Sequence, residues 1–303
     1  MNRTLAFLTG SSAMLALSLG CSAGKTVDSE RLDLCGYELA FADEFDALAI
    51  ASRKLDGGAR WTAHTPWNGD FGDAMFSNPR PGWPFTAVNG LLRITAQRDE
   101  TGRWRSGLIA AADASGKGHG VQYGYFEARM KFPPGPGTWT GFWLMSLQPA
   151  RQLPKIEIDV VEYYGQMTDK YFATGHVWYG GEDKHLTRHD GKHLPVSAGS
   201  LTGGFHRFGV RVDPQQITYF LDGEAMWHQT TPKEHRAPLY PLVNLALGSG
   251  YSIDETPDPS TLEVDYVRVY RPAAAAASAG CAGAGESKEN SAAASSPQQP
   301  TDK

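Results

Sequence analysis

The run Lys155-Ile156-Glu157-Ile158-Asp159-Val160-Val161-Glu162 places three carboxylates within six residues of an otherwise β-branched segment. Acidic residues are depleted in strands. An unpaired carboxylate taken out of water is strongly destabilising unless it holds its proton. A strand with only a structural task would avoid this composition. Period-2 alternation puts Glu157, Asp159 and Val161 on one face and turns Glu162 to the other. One extra residue, a β-bulge between Asp159 and Glu162, returns Glu162 to the face of Glu157. The carboxylates then lie roughly 5–7 Å apart along the strand. A carboxylate pair about 5–5.5 Å apart suits displacement at a sugar carbon with retention of configuration: one attacks, and the other protonates the leaving oxygen and then activates water. Mutual repulsion raises at least one pKa, so that a proton is held near neutral pH. Asp159, between the two, is placed to orient the nucleophile and tune where that proton resides. An exposed edge strand of solvated charges is the structural alternative, and Ile156, Ile158, Val160 and Val161 argue against it because they need a core.

Strand signals recur along the chain with turns between them, and no long 3.6-residue period is present. Strands are predicted over Glu38–Phe41, Leu91–Gln97, Gly107–Ala112, Tyr123–Phe132, Trp139–Leu147, Lys155–Tyr163, Tyr171–Tyr179, His206–Val212, Gln216–Leu221, Leu242–Leu247 and Thr261–Tyr270. Asp213-Pro214 and Asp222-Gly223 mark tight turns. Many short strands with Gly and Pro punctuation indicate an all-β, two-sheet sandwich. Alternation sorts the residues by face. His176 shares a face with Trp178, and Trp139 shares one with Gly141 and Trp143, while Asn244 lies opposite Val243, Leu245 and Leu247. One set of faces is apolar, and the other carries Trp, His, Asn and Glu. That mixture suits a carbohydrate cleft, where indoles stack on sugar rings and polar groups hold hydroxyls. Trp67, Trp83 and Trp104 fall in segments rich in Gly, Pro, Asn and Asp that read as loops, and loops carry subsites. Each of these residues has a plainer reading as a core aromatic or as a polar group bonded to backbone. The expected substrate-binding set is Trp139, Trp143, His176, Trp178, Asn244, Trp67 and Trp104.

The segment Glu157-Ile158-Asp159-Val160-Val161-Glu162 resembles the active-site motif of glycoside hydrolase family 16 in its bulged, laminarinase-like form. Phe41-Ala42-Asp43-Glu44-Phe45-Asp46 is similar to the family's opening strand, and Tyr123–Lys131 and Gly137–Leu144 resemble the two strands before the catalytic one. Phe205–Gly223, Val243–Gly248 and Val264–Tyr270 resemble the closing strands. One departure is Trp139-Thr140-Gly141-Phe142-Trp143, where the family often has Trp-Pro-Ala-x-Trp; both tryptophans are kept. The resemblance covers about residues 37–271. It implies a β-jelly roll of concanavalin A-like type with a concave substrate cleft. It further implies Glu157 as nucleophile, Asp159 as assisting carboxylate and Glu162 as general acid/base, with no cofactor for the chemistry. It also implies a structural Ca2+ held by Glu44, Gly90 and Asp265, residues that otherwise read as solvated or hydrogen-bonded strand positions. Pro66–Asp73 resembles a segment of family members that depolymerise bacterial exopolysaccharide.

Residues 1–23 read as a signal peptide, with Arg3 as the positive start and Leu5–Leu19 as an apolar stretch too short to span a membrane stably. Leu17-Ser18-Leu19-Gly20-Cys21 resembles a lipoprotein cleavage box with Cys21 lipidated, and Cys21-Ser22-Ala23 also suits an ordinary signal peptidase. Residues 24–36 read as a linker and 37–271 as the catalytic domain. Residues 272–303 form a low-complexity tail unable to bury enough apolar surface to order itself. The expected location is exported: an outer-membrane lipoprotein, periplasmic or secreted, with the membrane reached only through that anchor. Of three cysteines, Cys21, Cys35 and Cys281, the last two flank the domain and an exported chain could oxidise them. A net charge of −5 and a pI near 6.0 argue against nucleic acid as partner. The expectation is therefore a monomeric, retaining, endo-acting hydrolase of internal β-linkages. Its substrate is expected to be a β-1,3- or mixed β-1,3/1,4-glucan or a related exopolysaccharide. A transglycosylase on the same site and a non-catalytic lectin-like sandwich are the rival readings.

Overall fold

The computed structural model describes residues 30–274. The expected signal peptide, Cys21, Cys281 and the part of the expected tail beyond residue 274 lie outside the described residues. The described chain is almost entirely β. In order it forms β1 (Tyr37–Asp43), the short strands β2 (Ile50–Ala51), β3 (Trp61–Thr62), β4 (Met75–Phe76) and β5 (Phe85–Val88), then β6 (Leu91–Arg98) and β7 (Trp104–Ala110). β8 (Gly124–Lys131), β9 (Thr138–Ser146), β10 (Lys155–Tyr164), β11 (Lys170–Trp178) and β12 (Arg188–Pro195) follow. The chain closes with β13 (His206–Val212), β14 (Gln216–Leu221), β15 (Glu224–Thr230), β16 (Leu239–Leu247) and β17 (Ser260–Pro272).

Two antiparallel layers result. In one, β15, β14, β13, β8 and β17 pair in sequence, and β17 continues to β6 and β1. In the other, β12, β11, β10, β9, β16 and β7 pair in sequence and β3 joins the β7 edge. The β6–β7 hairpin joins the layers at its turn end, where Gln97 opposes Arg105. The core lies between the layers. Phe126, Ala128 and Met130 of β8 and Phe208, Val210 and Val212 of β13 are buried there with Ile156, Ile158, Val161 and Tyr163 of β10. Phe132 stacks on Tyr163 and on Phe208, with ring centroids 4.9 Å away in each case. Burying these side chains at roughly 25 cal/mol per Å2 of apolar surface holds the layers together.

The strongly alternating strands were the legible ones, and His206–Val212 and Gln216–Leu221 match the expected spans. β12 and β15 were not expected. β12 is exposed at nearly every position, so it carries no apolar alternation to read. The expected strand over Gly107–Ala112 starts earlier, at Trp104.

Candidate active site

The bulge in β10 is present and sits where alternation required it. Against β9, Glu157 opposes Met145 and Asp159 opposes Trp143; the register then slips, so that Val161 opposes Phe142 and Glu162 opposes Gly141. Val160 is the extra residue, and the ladder to β11 slips over the same stretch. Before the bulge, Ile156 and Ile158 point to the core; after it, Val161 and Tyr163 do. Glu157, Asp159, Glu162 and Tyr164 therefore share the face turned away from the core.

Each glutamate is anchored by an indole. Trp178 Nε1 donates to Glu157 Oε2 at 2.9 Å, and Trp139 Nε1 donates to Glu162 Oε1 at 3.1 Å. Tyr164 Oη also donates to Glu162 Oε1, at 3.4 Å. His176 Nε2 lies 3.0 Å from Asp159 Oδ2. Ligand atoms of Glu157, Asp159 and His176 all fall within 4.8 Å of one another. His176 stacks on Trp178 with rings 5.1 Å apart and 9° from parallel, which fixes both side chains beside the carboxylates.

Burial pushes the Glu157 carboxyl up to about 8; the Asp159 charge adds to this, and His176 and the Trp178 N–H oppose it. Asp159 is raised well above the usual range by burial and by Glu162. Glu162 is raised by burial and restrained by the Trp139 N–H. Desolvation and mutual repulsion thus raise all three carboxyls above their usual range. Their titration belongs to the cluster rather than to any single group.

The carboxylates line a groove of about 440 Å3 with Trp67, Gly69, Phe71, Trp139, Gly141, Trp143, Trp178 and Asn244. Asn244 is buried. It accepts from Trp143 Nε1 at 2.8 Å and donates to the Trp139 carbonyl at 3.3 Å, so it sets the indoles as well as lining the wall. Gly141 leaves room for that bond: a Cβ there would stand 2.8 Å from Asn244 Oδ1. Trp67 packs edge-on against Trp143 at 6.0 Å, and Phe71 packs against Trp139 at 5.0 Å. Their loop is tied by Asp70, which meets His64 Nδ1 at 2.6 Å and accepts from the Thr65 amide at 3.2 Å.

Six of the seven expected substrate-binding residues thus gather at the carboxylates, with His176 reaching them through Asp159. Trp104 does not. It opens β7, is 5% exposed, and its ring is covered by the Arg98 guanidinium at 4.8 Å. Its polar neighbours in sequence suggested a loop, but strand pairing with β6 draws it inward. Phe71 and Tyr164 were not singled out from the sequence. Tyr164 was within reach, because it lies two residues beyond Glu162 on the same face.

The residues expected to hold calcium lie on the other layer. Both Glu44 oxygens accept from the Arg268 guanidinium, at 2.8 and 2.9 Å. Asp265 Oδ2 accepts from Arg129 at 2.6 Å. Gly90 is close to the Glu44 carbonyl: a Cβ on it would stand 3.8 Å from that oxygen. Each carboxylate is compensated by its own arginine, so the side chains as placed do not converge on a common point.

The family model for glycosyl hydrolases family 16 matches residues 92–268. The chain is 30% identical over 262 residues to the endo-1,3-1,4-beta-glycanase ExsH of Rhizobium meliloti (strain 1021), covering 79% of this chain and 53% of that protein. It thus spans about half the length of that relative. It is 27% identical over 299 residues to a beta-glucanase of Rhodothermus marinus, covering 89% and 95% of the two chains. The catalytic domain of an endo-1,3-beta-glucanase (laminarinase) from Thermotoga petrophila RKU-1 superposes with a TM-score of 0.61 at 22% identity, over 78% of this chain and 98% of that one. This last likeness speaks to the fold, a jelly roll.

Proposed function

The chain belongs to glycosyl hydrolases family 16, and from that premise we propose that it is an endo-acting, retaining glycoside hydrolase cutting internal β-linkages of a polysaccharide. The observation that carries this reading is the bulge at Val160, which sets Glu157, Asp159 and Glu162 on one face inside an indole-lined groove. The likeness to the Rhizobium endo-1,3-1,4-beta-glycanase favours a β-1,3- or mixed β-1,3/1,4-glucan, or a related exopolysaccharide, as substrate.

In this mechanism Glu157 attacks the anomeric carbon while the glycosidic C–O bond breaks. Glu162 gives its proton to the departing oxygen. A β-glycan chain leaves, and the glycon stays as an ester on Glu157. Water then enters, Glu162 takes one of its protons, and the oxygen displaces Glu157 from the anomeric carbon. Anchoring one oxygen of each glutamate on an indole N–H directs the other toward the sugar. Trp178 stabilises the ionised form of Glu157. Asp159, 3.0 Å from His176 Nε2, lies beside the nucleophile, and its charge raises the Glu157 pKa. Burial raises the Glu162 pKa, which favours the protonated form that the first step needs.

The test is a panel of purified β-glucans and exopolysaccharides with product sizing and proton NMR of the first products. Oligosaccharides of mixed length with the β-anomer released first are expected. Initial α-anomer would overturn the mechanism, and no cleavage of any β-glycan would overturn the activity.

A further inference from the structure

The groove is asymmetric about the catalytic strand. On the β9 and β16 side it is walled by Trp139, Trp143 and the loop carrying Trp67 and Phe71. On the β11 side it opens onto a sheet that continues one strand further, to β12. After glycosidic cleavage the glycon stays attached to Glu157, while the leaving chain must depart and water must enter. The walled side therefore suits the glycon and the open side the leaving chain; this assignment rests on the function proposed above.

Register decides what lines the open side. Directly opposed residues of an antiparallel pair share a face. His189 opposes His176, Gly191 opposes Thr174 and His193 opposes Phe172. Ring contacts agree: His176 and His189 lie 5.6 Å apart, and Phe172 and His193 lie 4.5 Å apart. All three β12 residues are exposed. Among the described residues neither His189 nor His193 has a hydrogen-bonded partner for its imidazole. Gly191 is the unusual member. Glycine weakens a strand, and within one it marks a bulge or a place where a ligand approaches closely. The β11–β12 ladder runs without a register shift, and Gly191 is not among the glycines with positive φ. Neither a bulge nor backbone conformation requires it. A Cβ there would stand 2.9 Å from Thr174 Oγ1, so glycine makes room for the Thr174 side chain to lie against the β12 backbone on the catalytic face. His189 and His193 stand four residues apart, roughly 13 Å along the strand, one on each side of Gly191 and the Thr174 side chain.

We propose that the groove continues across Thr174 and Gly191 as a leaving-chain sugar subsite, walled by His189 and His193. Two strand spacings, roughly 9.5 Å, separate it from the catalytic strand, which is the reach of about two sugar rings. Its ligand is a hexopyranosyl unit of the glycan on the leaving side. The imidazoles donate to and accept from ring hydroxyls, and Thr174 offers its hydroxyl from the floor. Occupancy of this subsite distinguishes a long internal linkage from a short terminal one, so His189, Gly191 and His193 contribute to endo-action.

The experiment compares two substrates in the wild type, in His189→Ala/His193→Ala and in Thr174→Val, which keeps the side-chain volume but removes the hydroxyl. One substrate is a soluble mixed β-1,3/1,4-glucan. The other is an aryl β-glycoside of a β-glucan disaccharide, whose leaving group carries no sugar. On the polysaccharide both variants should lose about tenfold in kcat/KM, mainly through KM, the size expected for one or two hydrogen bonds. On the aryl glycoside they should stay within about twofold of the wild type, with melting temperatures unchanged. Equal losses on both substrates, or no loss on the polysaccharide in either variant, would overturn the subsite. A wild type inactive on both substrates would overturn the hydrolase reading itself and the subsite with it.

Discussion

At the scale of single residues, the site works by controlling where a few protons reside. Glu157 must be ionised to attack, yet burial and Asp159 raise its pKa, and the Trp178 N–H is one of the groups that bring it down. Trp178→Phe keeps the ring and its stacking on His176 but removes that donor. The Glu157 pKa should then rise further, and the ascending limb of kcat/KM against pH should move to higher pH by about half a unit or more. A limb that stays in place would mean that the indole serves only as a platform. Glu157→Gln should reduce turnover by about 10^3-fold or more while leaving glycan retention on an affinity gel intact. Gly141→Val is expected to break the Trp143–Asn244 bond, since the space at Gly141 is already filled by that amide. Its effect should fall on KM for oligosaccharides, measured against an unchanged far-ultraviolet spectrum.

At the scale of elements, one residue in β10 decides the chemistry. Val160 is the extra residue opposite β9, and it shifts every later side chain by half a period. Deleting it yields Glu-Ile-Asp-Val-Glu, in which plain alternation puts all three carboxylates on one face without a bulge. The deletion variant should therefore keep measurable activity, within about 100-fold of the parent, and lose about 1–3 kcal/mol of stability from the missing buried side chain. Inserting one alanine after Val161 should instead turn Glu162 toward the core and remove activity by about 10^3-fold or more. Steady-state rates on one β-glucan with urea unfolding of both variants check the pair. If the deletion is as inactive as the insertion, the face argument is wrong. β12 shows the opposite case: a strand whose placement comes wholly from its neighbour β11, with no periodicity of its own to announce it.

At the scale of the whole molecule, the carboxylate cluster is a cost that the fold carries for function. A carboxyl whose folded pKa lies above its unfolded value stabilises the fold at pH below the unfolded value, and that contribution disappears as pH rises through the folded value. For Glu157 the window runs from about 4.5 to about 8. Glu157→Gln removes the titration, so the variant should match the wild type near pH 4.5 and melt several degrees higher near pH 8, at about 2–4 °C per kcal/mol for a domain of this size. Equal melting temperatures at both pH values would show that Glu157 is better solvated than its surroundings suggest. The sequence by itself determined the all-β class, most long strands, the identity of the three carboxylates and the need for a bulge. Each of these follows from local periodicity and from the cost of burying charge, which are written in neighbouring residues. The tertiary structure decided that Trp104 goes inward, that Glu44 and Asp265 pair with arginines, that Asn244 orients two indoles, and that His189, Gly191 and His193 extend the catalytic face. Those outcomes depend on which strands pair and in what register, and two-residue alternation fixes the face of a side chain but not the partner opposite it.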